Sequence, residues 1–123
     1  MKVFDLNPFQ RVVTQEQQSN LEELARRITL LEELMEEEFW VSSGFRSKMD
    51  QLRVNPRSPD SAHTHGLAVD LYDTNGLIYD FLVNNTDMVI KLDFYIELKT
   101  YTPKYIHIQI RPTKSGTRFF KPW

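Results

Sequence analysis

Three histidines occur in the 123 residues. Two of them precede an aspartate in the run Ser61-Ala62-His63-Thr64-His65-Gly66-Leu67-Ala68-Val69-Asp70. The third, His107, lies in the alternating segment Tyr105-Ile106-His107-Ile108-Gln109-Ile110. Imidazole nitrogen and carboxylate oxygen are both zinc donors, and a catalytic zinc site takes three protein ligands plus water. A loop running into a strand suits His63 and Asp70, and a neighbouring strand would supply His107. Gly66 between them lets the backbone turn tightly near the metal. Spacing alone does not choose between His63 and His65. Each residue also has a plain structural use: a strand histidine is often just half-buried, and an aspartate after a short strand often caps a turn. Two histidines and a carboxylate also describe a non-haem iron site. The chain has no cysteine, which removes thiolate ligands, cysteine nucleophiles and disulfides together.

The elements that must position these residues follow from the hydrophobic pattern. Leu21, Leu24, Ala25, Ile28, Leu31, Leu34 and Met35 recur at helical spacing, with charged residues on the opposite face. Ser19 with Glu22 has the form of a capping box, and Thr14 with Gln17 offers an earlier start. The acidic run Glu36-Glu37-Glu38 sits where the helix dipole disfavours negative charge, so the helix is expected to stop before Phe39. Phe39, Trp40, Val41 and Phe45 bracket Ser42, Ser43 and Gly44, predicting a short buried strand and a turn. Residues 47–53 fit one or two helical turns, and residues 55–61 form a loop by composition. Residues 67–72 read as a strand closed by a turn at Asp73-Thr74-Asn75-Gly76. Helical spacing resumes at Leu77, Ile78, Phe81 and Leu82. Residues 89–98 are apolar and β-branched enough for a strand. Residues 105–110 alternate, with Tyr105, His107 and Gln109 on one face. Pro103 lies between these last two runs, which predicts a hairpin. The expectation is one α+β domain over residues 1–123, with a small, mainly antiparallel sheet and flanking helices. Residues 1–38 would be its N-terminal helical segment and residues 39–120 its motif-bearing core.

The composition, 41% hydrophobic, 12% aromatic and 26% charged, is that of a chain able to bury a core. Its formal charge of −2, from 15 basic and 17 acidic residues, lacks the basic excess of a nucleic-acid binder, so no nucleic-acid partner is expected. No run approaches the ~18 apolar residues that a membrane span needs. The opening MKVFDLNPFQ lacks the pattern of a signal peptide. Synthesis in the cytoplasm without an export signal is the expectation.

Three ordered segments resemble one family. Ser61-x-His63-x-x-Gly66-x-Ala68-x-Asp70 resembles the signature of the zinc D-Ala-D-Ala carboxypeptidases, which share a fold with the hedgehog signalling domain and several phage endolysins. Ser43-Gly44-Phe45-Arg46-Ser47 is similar to a second segment of that family, and Tyr105-Ile106-His107-Ile108 to its last ligand strand. His107 to Arg111, followed by Gly116-Thr117-Arg118, resembles compact phage and prophage members. The resemblance covers roughly residues 39–120. It implies a hedgehog/DD-peptidase-like fold with Zn2+ held by His63, Asp70 and His107, and so favours His63 over His65. It implies that Arg46 faces substrate, where a guanidinium could hold a carboxylate or an oxyanion; a structural salt bridge is the alternative. It implies hydrolysis of peptidoglycan stem peptides, by a carboxypeptidase or an endolysin-type endopeptidase. With no export signal, such an enzyme would reach the wall through phage lysis machinery or on a virion. A zinc-binding or wall-binding module without turnover is the alternative.

The general base departs from the family pattern, because no carboxylate stands among residues 102–106. The nearest candidate is Glu97, in Leu92-Asp93-Phe94-Tyr95-Ile96-Glu97. A hairpin turning near Thr102 would set Glu97 opposite His107, with Cβ atoms about 4.5–5.5 Å apart. A one-residue slip would send it to the other face. Tyr101 or Tyr105 could assist in orienting substrate. Oligomeric state is not legible in the chain.

Overall fold

The computed structural model describes residues 1–122. The longest element, α1 (Gln15–Met35), takes the earlier of its two predicted starts. Thr14 Oγ1 accepts from Gln17 N–H at 3.1 Å while the Gln17 side chain accepts from Thr14 N–H at 2.8 Å. This reciprocal pair satisfies two donors that a helix start otherwise leaves orphaned. The helix ends at Glu36 in the left-handed region (φ 54°), ahead of Phe39 as expected.

Four helices accompany the sheet among the described residues: α1, α2 (Lys48–Val54), α3 (Leu77–Val83) and α4 (Thr86–Leu92). The strands are β1 (Val41–Ser43), β2 (Ala68–Tyr72), β3 (Tyr95–Glu97), β4 (Tyr105–Gln109) and β5 (Phe119–Phe120), in the spatial order β1-β2-β4-β3-β5. Pairing is antiparallel except between β3 and β5, which run parallel. The α+β expectation holds, and the small sheet is mainly antiparallel as expected, mixed only through one parallel edge at β5, a strand of two residues that carries no periodic signal.

The predicted strand over residues 89–98 is corrected. Its first half is α4, with Val89 and Leu92 buried three residues apart on one helical face, and Asp93 turns left-handed (φ 55°) to end it. Only Tyr95–Glu97 is strand. A short apolar run carries both periods, and here the three-residue spacing of Val89 and Leu92 prevails. The expected hairpin forms, β3 pairing antiparallel with β4, and its connection contains a 3-10 turn at Lys99–Tyr101.

Strand period two divides the sheet into opposed faces. On one, Val69, Ile108 and Ile96 pair across β2, β4 and β3, and Leu71 pairs with Ile106. All five are at most 1% exposed and join Leu21, Leu24, Ile28 and Leu31 of α1 in the core. Each such side chain contributes about 1.5–3 kcal/mol by leaving water. On the other face Ser43 pairs with Asp70, and Asp70 with His107. A bulge in β1 makes the first of these pairings, since Val41 faces Leu71 while Ser43, two residues on, faces Asp70.

The N-terminus of α1 also holds the loop that carries His63. Gln17 Nε2 donates to Thr64 O at 3.1 Å, and Asn20 Nδ2 to His65 O at 2.8 Å. Gly66, at φ 73°, lies so near that a Cβ would come within 2.9 Å of Gln17 O, so no larger residue fits this turn against the helix. Replacing the cap, Thr14→Ala, should lower stability by about 1 kcal/mol. Urea unfolding measures this, and an unchanged midpoint would mean that the cap contributes nothing to the helix start.

Candidate metal centre

His63 sits in a 3-10 turn, Ala62–His65, whose Ser61 cap accepts from His63 N–H at 3.2 Å. Asp70 and His107 are cross-strand partners on β2 and β4. One donor atom of each of the three residues lies within 4.8 Å of the other two, so the group could hold a metal ion. His107 Nδ1 is 2.8 Å from Asp70 Oδ1, and His63 Nε2 is 3.4 Å from Asp70 Oδ2. Donors about 2.0–2.2 Å from a tetrahedral zinc lie about 3.3–3.6 Å apart; the His63–Asp70 spacing falls in that range, whereas the His107–Asp70 spacing is that of a direct hydrogen bond, which a metal ion would open.

The outer nitrogen of each ring fixes its tautomer. His63 Nδ1 is 2.9 Å from the Gly44 carbonyl, which only accepts, so Nδ1 carries the proton. Gln109 Nε2 donates to Arg111 O at 2.7 Å, which turns its Oε1 toward His107 Nε2 at 2.8 Å. That nitrogen is therefore also a donor. In neutral rings, the two remaining nitrogens then present lone pairs to the Asp70 carboxylate. Acceptors facing one another in a buried place need a proton or a cation between them. Rings oriented through their outer N–H are the usual support of metal-bound histidine.

Electrostatics agree with this arrangement. Burial alone would raise the Asp70 carboxyl, but the His107 and His63 hydrogen bonds outweigh it and hold the group well below the ordinary carboxylate range. Burial opposes charge on His107 too, yet its bond to Asp70 raises it above the usual histidine value. On His63 burial prevails, and it is pushed down.

The other predicted residues divide as follows. His65 pairs with Asp60 at 2.6 Å, is exposed, and stands outside the cluster. The Arg46 guanidinium donates to Ser43 Oγ at 2.8 Å and 3.2 Å and to Gln51 Oε1 at 3.1 Å, and Nη2 lies 3.8 Å from Asp70 Oδ2. It is thus both an ion-pair partner of Asp70 and part of the cleft lining. Tyr95 pairs with Gln109 and Ile96 with Ile108, so the next step of this register sets Glu97 toward His107. Glu97 lines the cleft beside Asp70 and His107. Burial raises its carboxyl; His107 opposes and Asp70 adds to the shift. Tyr105 lines the cleft, and Tyr101 does not.

Three groups named in the sequence patterns were given no supporting role there: the Gly44 carbonyl, Ser43 and Gln109. The two-residue step from His107 to Gln109 on one strand face is the signal that could have found Gln109. Gly44 admits no side chain, since a Cβ would collide with Leu6 O. That close approach holds the Gly44 carbonyl against His63.

Compared with protein-family models, curated proteins and solved structures, the chain gives no match.

Two outcomes follow for metal binding. Gln109→Leu should weaken zinc affinity about 10- to 100-fold while leaving the fold intact, read by competition with a chromogenic chelator; unchanged affinity would deny Gln109 its orienting role. Metal must displace the proton that Asp70 stabilises on His107, so affinity should rise with pH from about 6 to about 8, across and above the ordinary histidine value of about 6.5. Affinity that stays flat over that range, in the same competition assay, would contradict a protonated His107.

Proposed function

We propose that the chain is a zinc-dependent peptidase of the D-Ala-D-Ala carboxypeptidase and hedgehog-like type, acting on the stem peptides of bacterial peptidoglycan. The observation that carries this reading is the cross-strand pair Asp70–His107 on β2 and β4, with His63 closing over it from the 3-10 turn and Glu97 lining the same cleft. Donors consistent with a metal and a carboxylate suited to proton transfer thus share one face of one sheet. The ordered Ser-x-His-x-x-Gly-x-Ala-x-Asp, Ser-Gly-Phe-Arg-Ser and Tyr-x-His motifs favour peptidase chemistry over the iron oxygenase that the same donor set also suits.

Zinc in this site would lower the pKa of the water it binds to about 7 and polarise the scissile carbonyl. The remaining work belongs to the chain. Glu97, its carboxyl raised by burial, accepts the proton of the attacking water on a carboxylate oxygen and returns it to the leaving amine nitrogen. Arg46, fixed by Ser43 and Gln51, binds a substrate carboxylate or the oxyanion of the tetrahedral intermediate. Tyr105, whose hydroxyl is kept protonated by burial and by the nearby Asp70 and Glu97 charges, is a donor for the same oxygen. Among the described residues no helix is long and apolar enough to cross a membrane.

The test is cleavage of purified muropeptides by the zinc-loaded protein, with products read by mass spectrometry. Wild type should release D-alanine or split the stem peptide. Glu97→Gln should lose about 100- to 10,000-fold in kcat while binding one equivalent of zinc. A wild-type protein that binds zinc and leaves every muropeptide intact would overturn the peptidase reading in favour of a binding module.

A further inference from the structure

The walls of the cleft carry a charge pattern that the metal chemistry does not use. The chain as a whole is acidic, at −2, yet Arg46, Arg111, Lys114 and Lys121 all line this one cleft. The acids beside them are committed elsewhere. Asp70 lies between the two imidazoles. Asp60 Oδ1 takes His65 at 2.6 Å and lies 3.6 Å from Arg111. Glu97 stands in the row beside His107. Among the described residues, Lys114 and Lys121 have no carboxylate within ion-pair distance.

Their place in the fold gives the pattern a direction. Arg46 follows β1 at one edge of the sheet, whereas Lys114 and Lys121 flank β5 at the other. The metal-ligand pair on β2 and β4 lies between these edges. Strand β5 is two steps beyond β4, about 10 Å at the usual inter-strand spacing. An extended peptide covers that distance in about three residues. Lys114 is carried on a turn fixed by its own bonds, with Thr113 Oγ1 donating to Thr117 O at 3.0 Å and Gly116 N–H to Thr113 O at 3.2 Å. Phe120, between the lysines and the site, meets the His107 ring edge-on at 6.0 Å, which continues the floor of the cleft toward β5.

We propose that Lys114 and Lys121 form a second carboxylate subsite. It selects peptides that bear a free carboxylate about three residues from the scissile bond, on the side away from Arg46. The substrate class is therefore a peptide with an anionic group on the β5 side of the bond that is cut, and with one on each side where Arg46 takes a substrate carboxylate. This inference rests on the peptidase reading for its rate measurement and on binding alone for its control.

The test uses two synthetic peptides of one sequence that differ only in a free or amidated carboxyl at that position. Wild type should prefer the free acid about 10-fold, mostly in KM, as expected of two exposed ion pairs together. Lys114→Ala/Lys121→Ala should lose the preference and keep the wild-type rate on the amide, while Lys114→Arg/Lys121→Arg should retain it. Equal rates of wild type on both peptides, or a preference that survives in the alanine variant, would overturn the subsite. If wild type cuts neither peptide, the peptidase reading has failed separately. The same pair is then titrated against the zinc-loaded protein, and the free acid must still bind more tightly in wild type and not in the alanine variant; equal affinity overturns the subsite.

Discussion

The Asp70 carboxylate is held between two imidazoles whose outer nitrogens are both engaged as donors, to the Gly44 carbonyl and to Gln109 Oε1. In their neutral forms, the imidazole nitrogens and carboxylate oxygens that face one another are all acceptors, and the nearest fixed cation, Arg46, stands 3.8 Å from Asp70 Oδ2. Such a cluster is stable only when a positive particle joins it, and the surrounding chain is built to prevent the rings from turning away. The bulge in β1 and the close contact of Gly44 with Leu6 O place the Gly44 carbonyl. Gln109 is itself fixed by Arg111 O. Gln17 and Asn20 hold the turn that carries His63 from the side of α1.

The two faces of the sheet make this arrangement affordable in stability. The apolar rows Val69–Ile108–Ile96 and Leu71–Ile106 anchor the register of β2, β4 and β3 against α1. A slip of one residue would bury Asp70 and His107 in the core and expose the isoleucines, so the register that satisfies the core is also the one that assembles the site. Helix α1 has a further part, because its first turns brace the ligand-bearing loop while its middle fills the core.

Much of this was legible in the sequence because His63, Asp70 and His107 sit on elements with strong local signals. The alternation from Tyr105 to Ile110 places His107 and Gln109 on one face, and Gly66 marks the turn before Asp70. The Thr14 capping box was visible, though Ser19 offered an equal alternative; only the contacts of Gln17 and Asn20 with the His63 loop favour the earlier start. Residues 89–98 misled because Val89, Ile90 and Leu92 fit a strand by composition, while burial of Val89 and Leu92 against the core makes a helix of them. The expectation for Glu97 does not depend on the length of that strand, since it extends the Tyr95–Gln109 and Ile96–Ile108 register by one residue. The roles of Ser43 and the Gly44 carbonyl were hidden, because a bulge and a backbone contact from residue 6 create them. Neither leaves a periodic trace.

The central claim is that His63, Asp70 and His107 ligate one zinc ion through nitrogen and oxygen alone. X-ray absorption at the zinc edge, on protein loaded with one equivalent, tests it most directly. The account predicts a first shell of nitrogen and oxygen at about 2.0–2.2 Å with the outer-shell scattering of two imidazoles. A spectrum without imidazole scattering, or zinc lost on simple gel filtration, would contradict it.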